Sequence, residues 1–142
     1  MINLLVIHCS ATRPDQNVTT EDIRSWHKNQ GWSDIGYHYV IERNGLVYNG
    51  RDLDGDGDVE DEMGAHAKGF NRGSLSICMV GGIDKDGNPE ANFTGKQWLQ
   101  LYHLKKDICE RHGLDDSQVK GHNELPGVKK ACPSFSVAAW LG

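Results

Sequence analysis

Nowhere does this chain hold an apolar run of the roughly 20 residues that a membrane-spanning helix needs, so a span is excluded. No lysine or arginine precedes Arg13, and the apolar start Met1-Ile2-Asn3-Leu4-Leu5-Val6-Ile7 stops at His8. A secretory leader needs a basic opening, and cleavage here would remove His8, so synthesis in the cytoplasm without a signal peptide is expected. Linkers, repeats and low-complexity tracts are absent too. One domain spanning 1–142 is expected, long enough to bury a core without disulfides. The 15 lysines and arginines form no strong basic patch, which argues against nucleic acid as a partner.

What is present is ordinary in bulk and unusual in detail. Apolar residues make up 37% and charged residues 25%, the proportions of a soluble globular protein. The net charge of −5 is misleading, because Asp52, Asp54, Asp56, Asp58, Glu60, Asp61 and Glu62 crowd one stretch free of lysine and arginine. The rest of the chain is slightly basic and would tolerate an anionic polymer. Of the four cysteines, Cys9, Cys78 and Cys109 lie in apolar or helical contexts and read as buried free thiols.

Asn3 to His8 reads as a buried strand that delivers His8 at its end. Thr19 and Asp22 form a capping-box pattern ahead of Ile23, Trp26 and His27, predicting a helix to about Gln30, closed by Gly31. Tyr37 to Glu42, Asn44-Gly45 and Leu46 to Tyr48 predict a hairpin. Ser74 to Val80 is a further strand. Thr94 caps a longer helix with Trp98, Leu101, Lys105 and Ile108 on one face, ending near His112-Gly113. Val119 to His122 predicts a last strand, and Ser136 to Trp140 a short helix. Strands interleaved with helices predict an α/β fold, a mixed central sheet flanked by helices.

Three residues suggest metal: His8, His122 in Gly121-His122-Asn123-Glu124, and Cys132 in Lys130-Ala131-Cys132-Pro133. Two imidazoles and a thiolate with a vacant fourth position make a catalytic rather than a structural zinc site. Such a zinc lowers the pKa of water to about 7, which points to a hydrolase. Spacing alone does not single these residues out, since a lone histidine after a strand is more often an ordinary surface or core residue. Each one does sit at a strand end or turn, where site residues are displayed.

The order of four segments goes further. His8-Cys9-Ser10-Ala11-Thr12, Gly36-Tyr37-His38-Tyr39-Val40-Ile41, Gly64-Ala65-His66-Ala67-Lys68-Gly69-Phe70-Asn71 and Lys130-Ala131-Cys132-Pro133-Ser134-Phe135 follow one another. Together they closely resemble the zinc-dependent N-acetylmuramoyl-L-alanine amidases of the phage lysozyme type, in the peptidoglycan recognition protein superfamily. The resemblance implies one zinc on His8, His122 and Cys132 at the floor of a surface groove. It implies a catalytic tyrosine at Tyr37, a catalytic lysine at Lys130, and a substrate-groove histidine at His66. The implied reaction cleaves the amide between N-acetylmuramic acid and the L-alanine of the stem peptide, after the enzyme is released to the cell wall. Peptidoglycan is then the partner, and the protein a monomer.

His38 should face away from Tyr37 and is left outside the site. His27 and His103 read as structural or surface residues. Thr12, Ala67, Lys68 and Asn71 are groove-lining candidates. A non-catalytic peptidoglycan-binding module is the alternative function, and the presence of His8, His122, Cys132, Tyr37 and Lys130 favours the enzyme. Asp52-Leu53-Asp54-Gly55-Asp56-Gly57-Asp58 matches the opening of a calcium loop, but Met63 stands at the closing twelfth position with Glu62 one residue early. A solvated loop bordering the groove is the favoured reading, with weak Ca2+ at Asp52, Asp54, Asp56 and Asp58 as the other.

Overall fold

A computed structural model describes residues 1–142. Its strands are β1 (Leu4–Cys9), β2 (Tyr39–Ile41), β3 (Val47–Asn49), β4 (Ser74–Met79) and β5 (Val119–Gly121). The α-helices are α1 (Thr20–Asn29), α2 (Gly95–His112) and α3 (Val137–Leu141). The five strands form one sheet in the order β3-β2-β4-β1-β5. β1 runs parallel to β4 and β5, β2 runs parallel to β4, and only the β2–β3 hairpin is antiparallel. The mixed α/β sheet expected from the sequence is present, and no helix is long and apolar enough to cross a membrane.

The helix ends are set by local chemistry. Thr19 and Asp22 bond reciprocally to each other's backbone N–H at the start of α1, and Thr94 and Gln97 do the same at α2. Gly113 closes α2 in the left-handed conformation, with φ 66°. Gln97 is fully buried, and its amide donates to the carbonyls of Ile41 (3.1 Å) and Val80 (2.9 Å). That amide ties the first turn of α2 to the ends of β2 and β4, adding a second donor to the Ile41 carbonyl, which also accepts the Val80 N–H at 3.0 Å. Leu101 and Ile108 of α2 enter the main core as expected. Lys105 does not: its ammonium reaches Asp116 at 2.7 Å, and Leu104 packs against the core nearby.

Strand alternation decides which side chains meet the site. Leu5, Ile7 and Cys9 of β1 join Leu75, Ile77 and Met79 of β4 in the core beneath α2. His8 therefore faces the other side, where the register pairs it with Cys78. Ser74 and Ser76, both buried, sit on that same face of β4. The two serines look out of place in an apolar strand until their partners are known.

Candidate active site

β1 carries His8 to the end of the sheet, and β5 leads straight into a short 3-10 turn, His122–Glu124, that presents His122. Cys132 arrives on the turn that follows, held where the Asn123 backbone N–H donates to its carbonyl at 2.8 Å. The side chain of Asn123 also donates to the carbonyls of Ala131 and Phe135, both at 3.3 Å. The donor atoms of His8, His122 and Cys132 lie within 4.8 Å of one another. His8 Nδ1 is 3.7 Å from Cys132 Sγ, and the rings of His8 and His122 are 4.6 Å apart between centroids.

The electrostatics of this cluster suit metal ligation. Burial holds His8 well below its usual pKa, with His66, His122 and Lys130 adding to the effect. Burial and Lys130 lower His122 as well. Both imidazoles are therefore neutral at pH 7, the form that ligates. Cys132 shares a hydrogen bond with Cys9 that, together with burial, raises its thiol pKa, while the same bond pulls Cys9 down to about 7. The Cys9 backbone N–H also donates to Cys132 Sγ at 3.2 Å, a contact that suits a thiolate. Two nitrogens and one sulfur at this spacing fit a tetrahedral zinc with one position open.

A cleft of about 270 Å3 opens over the cluster, lined among others by Tyr37, His27, Trp32 and Lys130. Tyr37 lies just ahead of β2, its ring 5.1 Å from that of His8, and burial raises its hydroxyl pKa well above the usual value. It stays a protonated donor at any pH where the enzyme would work. Gly36 lets this segment pass, since a Cβ there would stand 2.0 Å from the Ala65 carbonyl oxygen. A second hollow of about 650 Å3 continues from the cleft, with His66, Ala67, Lys68, Asn71 and Lys130 on its walls. Lys68, Ala67 and Asn71 are thus groove residues as expected. Thr12 is not: it is buried, its hydroxyl 2.7 Å from that of Ser10.

Three residues take places that the sequence did not reveal. His27, placed on α1 as structural or surface, has its ring 5.4 Å from Tyr37 and accepts the Gly36 N–H at 2.9 Å. Cys9 is a buried free thiol as expected, yet it neighbours Cys132 directly. His38 stays off the metal cluster, as expected. It is fully buried, accepts the Ser76 N–H at 3.1 Å and donates to the Glu62 carbonyl at 2.7 Å. No feature of the local sequence distinguishes these three, because each contact is tertiary: His27 reaches the segment ahead of β2, and Cys9 and His38 reach partners far along the chain.

The acidic stretch folds as a loop away from the cleft. Residues 60–63 line a hollow of about 810 Å3 with Met1, Arg72 and His112, which shares Asn71 with the groove, and none of residues 52–63 lines the cleft over the cluster. Glu60 turns in to Tyr39, Arg111 and His112, and these partners outweigh its burial and bring its carboxyl down to about 2. The carboxylates of Asp52, Asp54 and Glu62 converge within 4.8 Å, as do those of Asp54, Asp56 and Asp61. Glu62 thus joins Asp52 and Asp54, while Asp56 belongs to the second group.

Two imidazoles and a thiol at a cleft, with a protonated tyrosine and a lysine beside them, form a donor set that could hold a metal in an α/β protein. Residues 1–135 match the N-acetylmuramoyl-L-alanine amidase family, and the chain belongs to that family. It is 43% identical over 136 residues to the endolysin of Escherichia phage T7, covering 96% of this chain and 83% of that one. Similarity extends to peptidoglycan-recognition protein SC1a of Drosophila melanogaster, at 32% identity over 96% of this chain and 70% of the other. Among solved structures, the endolysin N-acetylmuramoyl-L-alanine amidase LysCS of Clostridium intestinale superposes with a TM-score of 0.77 at 27% identity, covering 99% of this chain and 83% of that one.

Proposed function

We propose that this protein is a zinc-dependent N-acetylmuramoyl-L-alanine amidase, a single catalytic domain over residues 1–142 that cuts the bond between N-acetylmuramic acid and L-alanine. The observation that carries the reading is the convergence of His8, His122 and Cys132 beneath a cleft shared with Tyr37 and Lys130. His8, His122 and Cys132 would hold one zinc. When bound, the metal supplies a Lewis acid that polarises the scissile carbonyl and brings water to a pKa of about 7.

The chain's own groups do the rest. Tyr37 Oη, kept protonated by burial, donates to the oxygen on which negative charge builds as water adds to the carbonyl carbon. Lys130 Nζ stands at the exposed rim, where it can share that charge and give a proton to the departing alanine nitrogen. The C–N bond then breaks, leaving a lactyl carboxylate and a free amino terminus. His66, Lys68 and Asn71 line the adjoining hollow, which suits the stem peptide.

The acidic loop is read as a solvated insertion that takes Ca2+ only weakly, through Asp52, Asp54 and Glu62, with Asp56 and Asp58 alongside, and takes no part in hydrolysis. The protein acts as a monomer, is made in the cytoplasm and reaches the wall on lysis, as fits a relative of phage endolysins. Digestion of purified peptidoglycan tests the function. New L-alanine amino termini without new reducing sugars are expected. New reducing ends, or binding without release of peptide, would replace the amidase with a glycosidase or a binding module.

A further inference from the structure

His66 lines the groove, yet neither of its ring nitrogens is free to meet a substrate. Nδ1 is 2.9 Å from His8 Nε2, and Nε2 is 2.9 Å from Ser74 Oγ. The direction of every proton in this chain follows from its far end. Ser74 Oγ lies 2.6 Å from the Phe70 carbonyl, which can only accept, so the single hydroxyl proton goes there. Ser74 must then accept from His66, which puts the His66 proton on Nε2. His66 Nδ1 is left with a lone pair and must accept from His8 Nε2–H. The lone pair of His8 is thereby placed on Nδ1, the atom facing Cys132 Sγ at 3.7 Å.

We propose that His66 is a positioning residue: with Ser74 it sets the tautomer and the aim of His8, so that Nδ1 is presented to the metal. A metal-bound imidazole is commonly oriented by a partner on its other nitrogen, and loss of that partner typically costs 10–100-fold in affinity. The brace is itself held from behind. The backbone N–H groups of His66 and Ala67 both donate to Asn71 Oδ1 at 2.9 Å, which fixes the loop that carries the ring. Ser74 is buried on β4, the strand next to that of His8, so both ends of the chain of bonds are anchored in one sheet. This explains a serine in an apolar strand.

The inference rests on the zinc reading, and its test separates the two. In metal-free wild-type protein with 15N-labelled histidine, long-range 1H–15N correlation should show His8 and His66 each protonated on Nε2. A proton on His8 Nδ1 overturns the brace. Zinc affinity is then measured by competition with a chromogenic chelator. His66→Phe should weaken binding about 10–100-fold, whereas His66→Asn, which keeps an acceptor where Nδ1 stood, should recover most of it. Ser74→Ala should weaken binding less. If His66 only contacts substrate, all three variants bind zinc like wild type while KM rises, and the proposal fails. Should His66→Phe not fold, Ser74→Ala and the wild-type tautomers still decide. Failure of wild type to bind zinc would instead remove the metal reading itself.

Discussion

Zinc affinity should depend on pH in a shape set by the two thiols. Burial lowers the pKa of both His8 and His122, so neither imidazole has a proton to release near neutrality. Cys9 and Cys132 share a hydrogen bond, and the first proton leaves the pair at about 7, from the Cys9 side. With zinc on Cys132, Cys9 takes the remaining proton. Below pH 7 the free pair holds one proton more than the loaded pair, so binding expels one and tightens as pH rises. Above pH 7 the counts match and the dependence disappears. Worked through, affinity should climb roughly fifteenfold from pH 5.5 to 7 and only about twofold from 7 to 8.5. Chelator competition at each pH measures the curve, and calorimetry in two buffers of different ionisation heat counts the proton. Cys9→Ala should let the climb continue beyond pH 8, because Cys132 then titrates alone. Cys132→Ser should lose the affinity itself, since a neutral hydroxyl is a far poorer ligand. A flat curve in wild type, or a slope steeper than one proton, would refute this account.

Tyr37→Phe and Lys130→Ala should each keep full zinc by metal analysis yet lose roughly a hundredfold in turnover, the scale of a removed oxyanion donor. Wild-type turnover in either would take that residue out of the chemistry. Partial desolvation and neighbouring carboxylates push Asp61 up to about 6 from 3.8, so the stability it lends in acid is lost as pH rises through 6. At pH 7 calcium should therefore raise the melting temperature, with millimolar affinity, and Asp54→Ala with Asp56→Ala should erase the gain without touching amidase activity. No stabilisation at several millimolar calcium would leave the loop a plain insertion. Leu101→Ala should cost about 2–5 kcal/mol in urea unfolding, as a large buried side chain removed from beneath α2. A loss under 1 kcal/mol would mean the core collapses around it.

Elements governed by local chemistry were legible in the sequence, and contacts across the sheet were not. Thr19-Asp22 and the Thr94 cap act within one helical turn, and Asn44-Gly45 within one hairpin, so their signals sit beside the structures they make. The metal set could be named only because four segments resemble a family; nothing local joins His8 to Cys132. The roles of Ser74 and Ser76 depend on parallel pairing of β4 with β1 on one side and β2 on the other, relations no short window contains. Lys105 shares the face of Leu101 and Ile108, but its long stem carries the ammonium out to Asp116, which helical spacing alone does not report. Glu62 stands one residue early in a twelve-residue pattern, and only the folded loop shows its carboxylate beside those of Asp52 and Asp54.

The three metal donors come from residues 8, 122 and 132, so the ion would clasp the first strand of the chain to one of its last turns. Closing so long a loop constrains the unfolded chain much as a distant cross-link does. It also fixes an order in time. β1 lies between β4 and β5, and the ribosome makes it well before either partner. No metal can be held until the Cys132 turn has emerged and docked against Asn123. A chain interrupted before Cys132 would lack one of the three donors, so the donor set is completed in a single step when that turn docks, however early β1 is made.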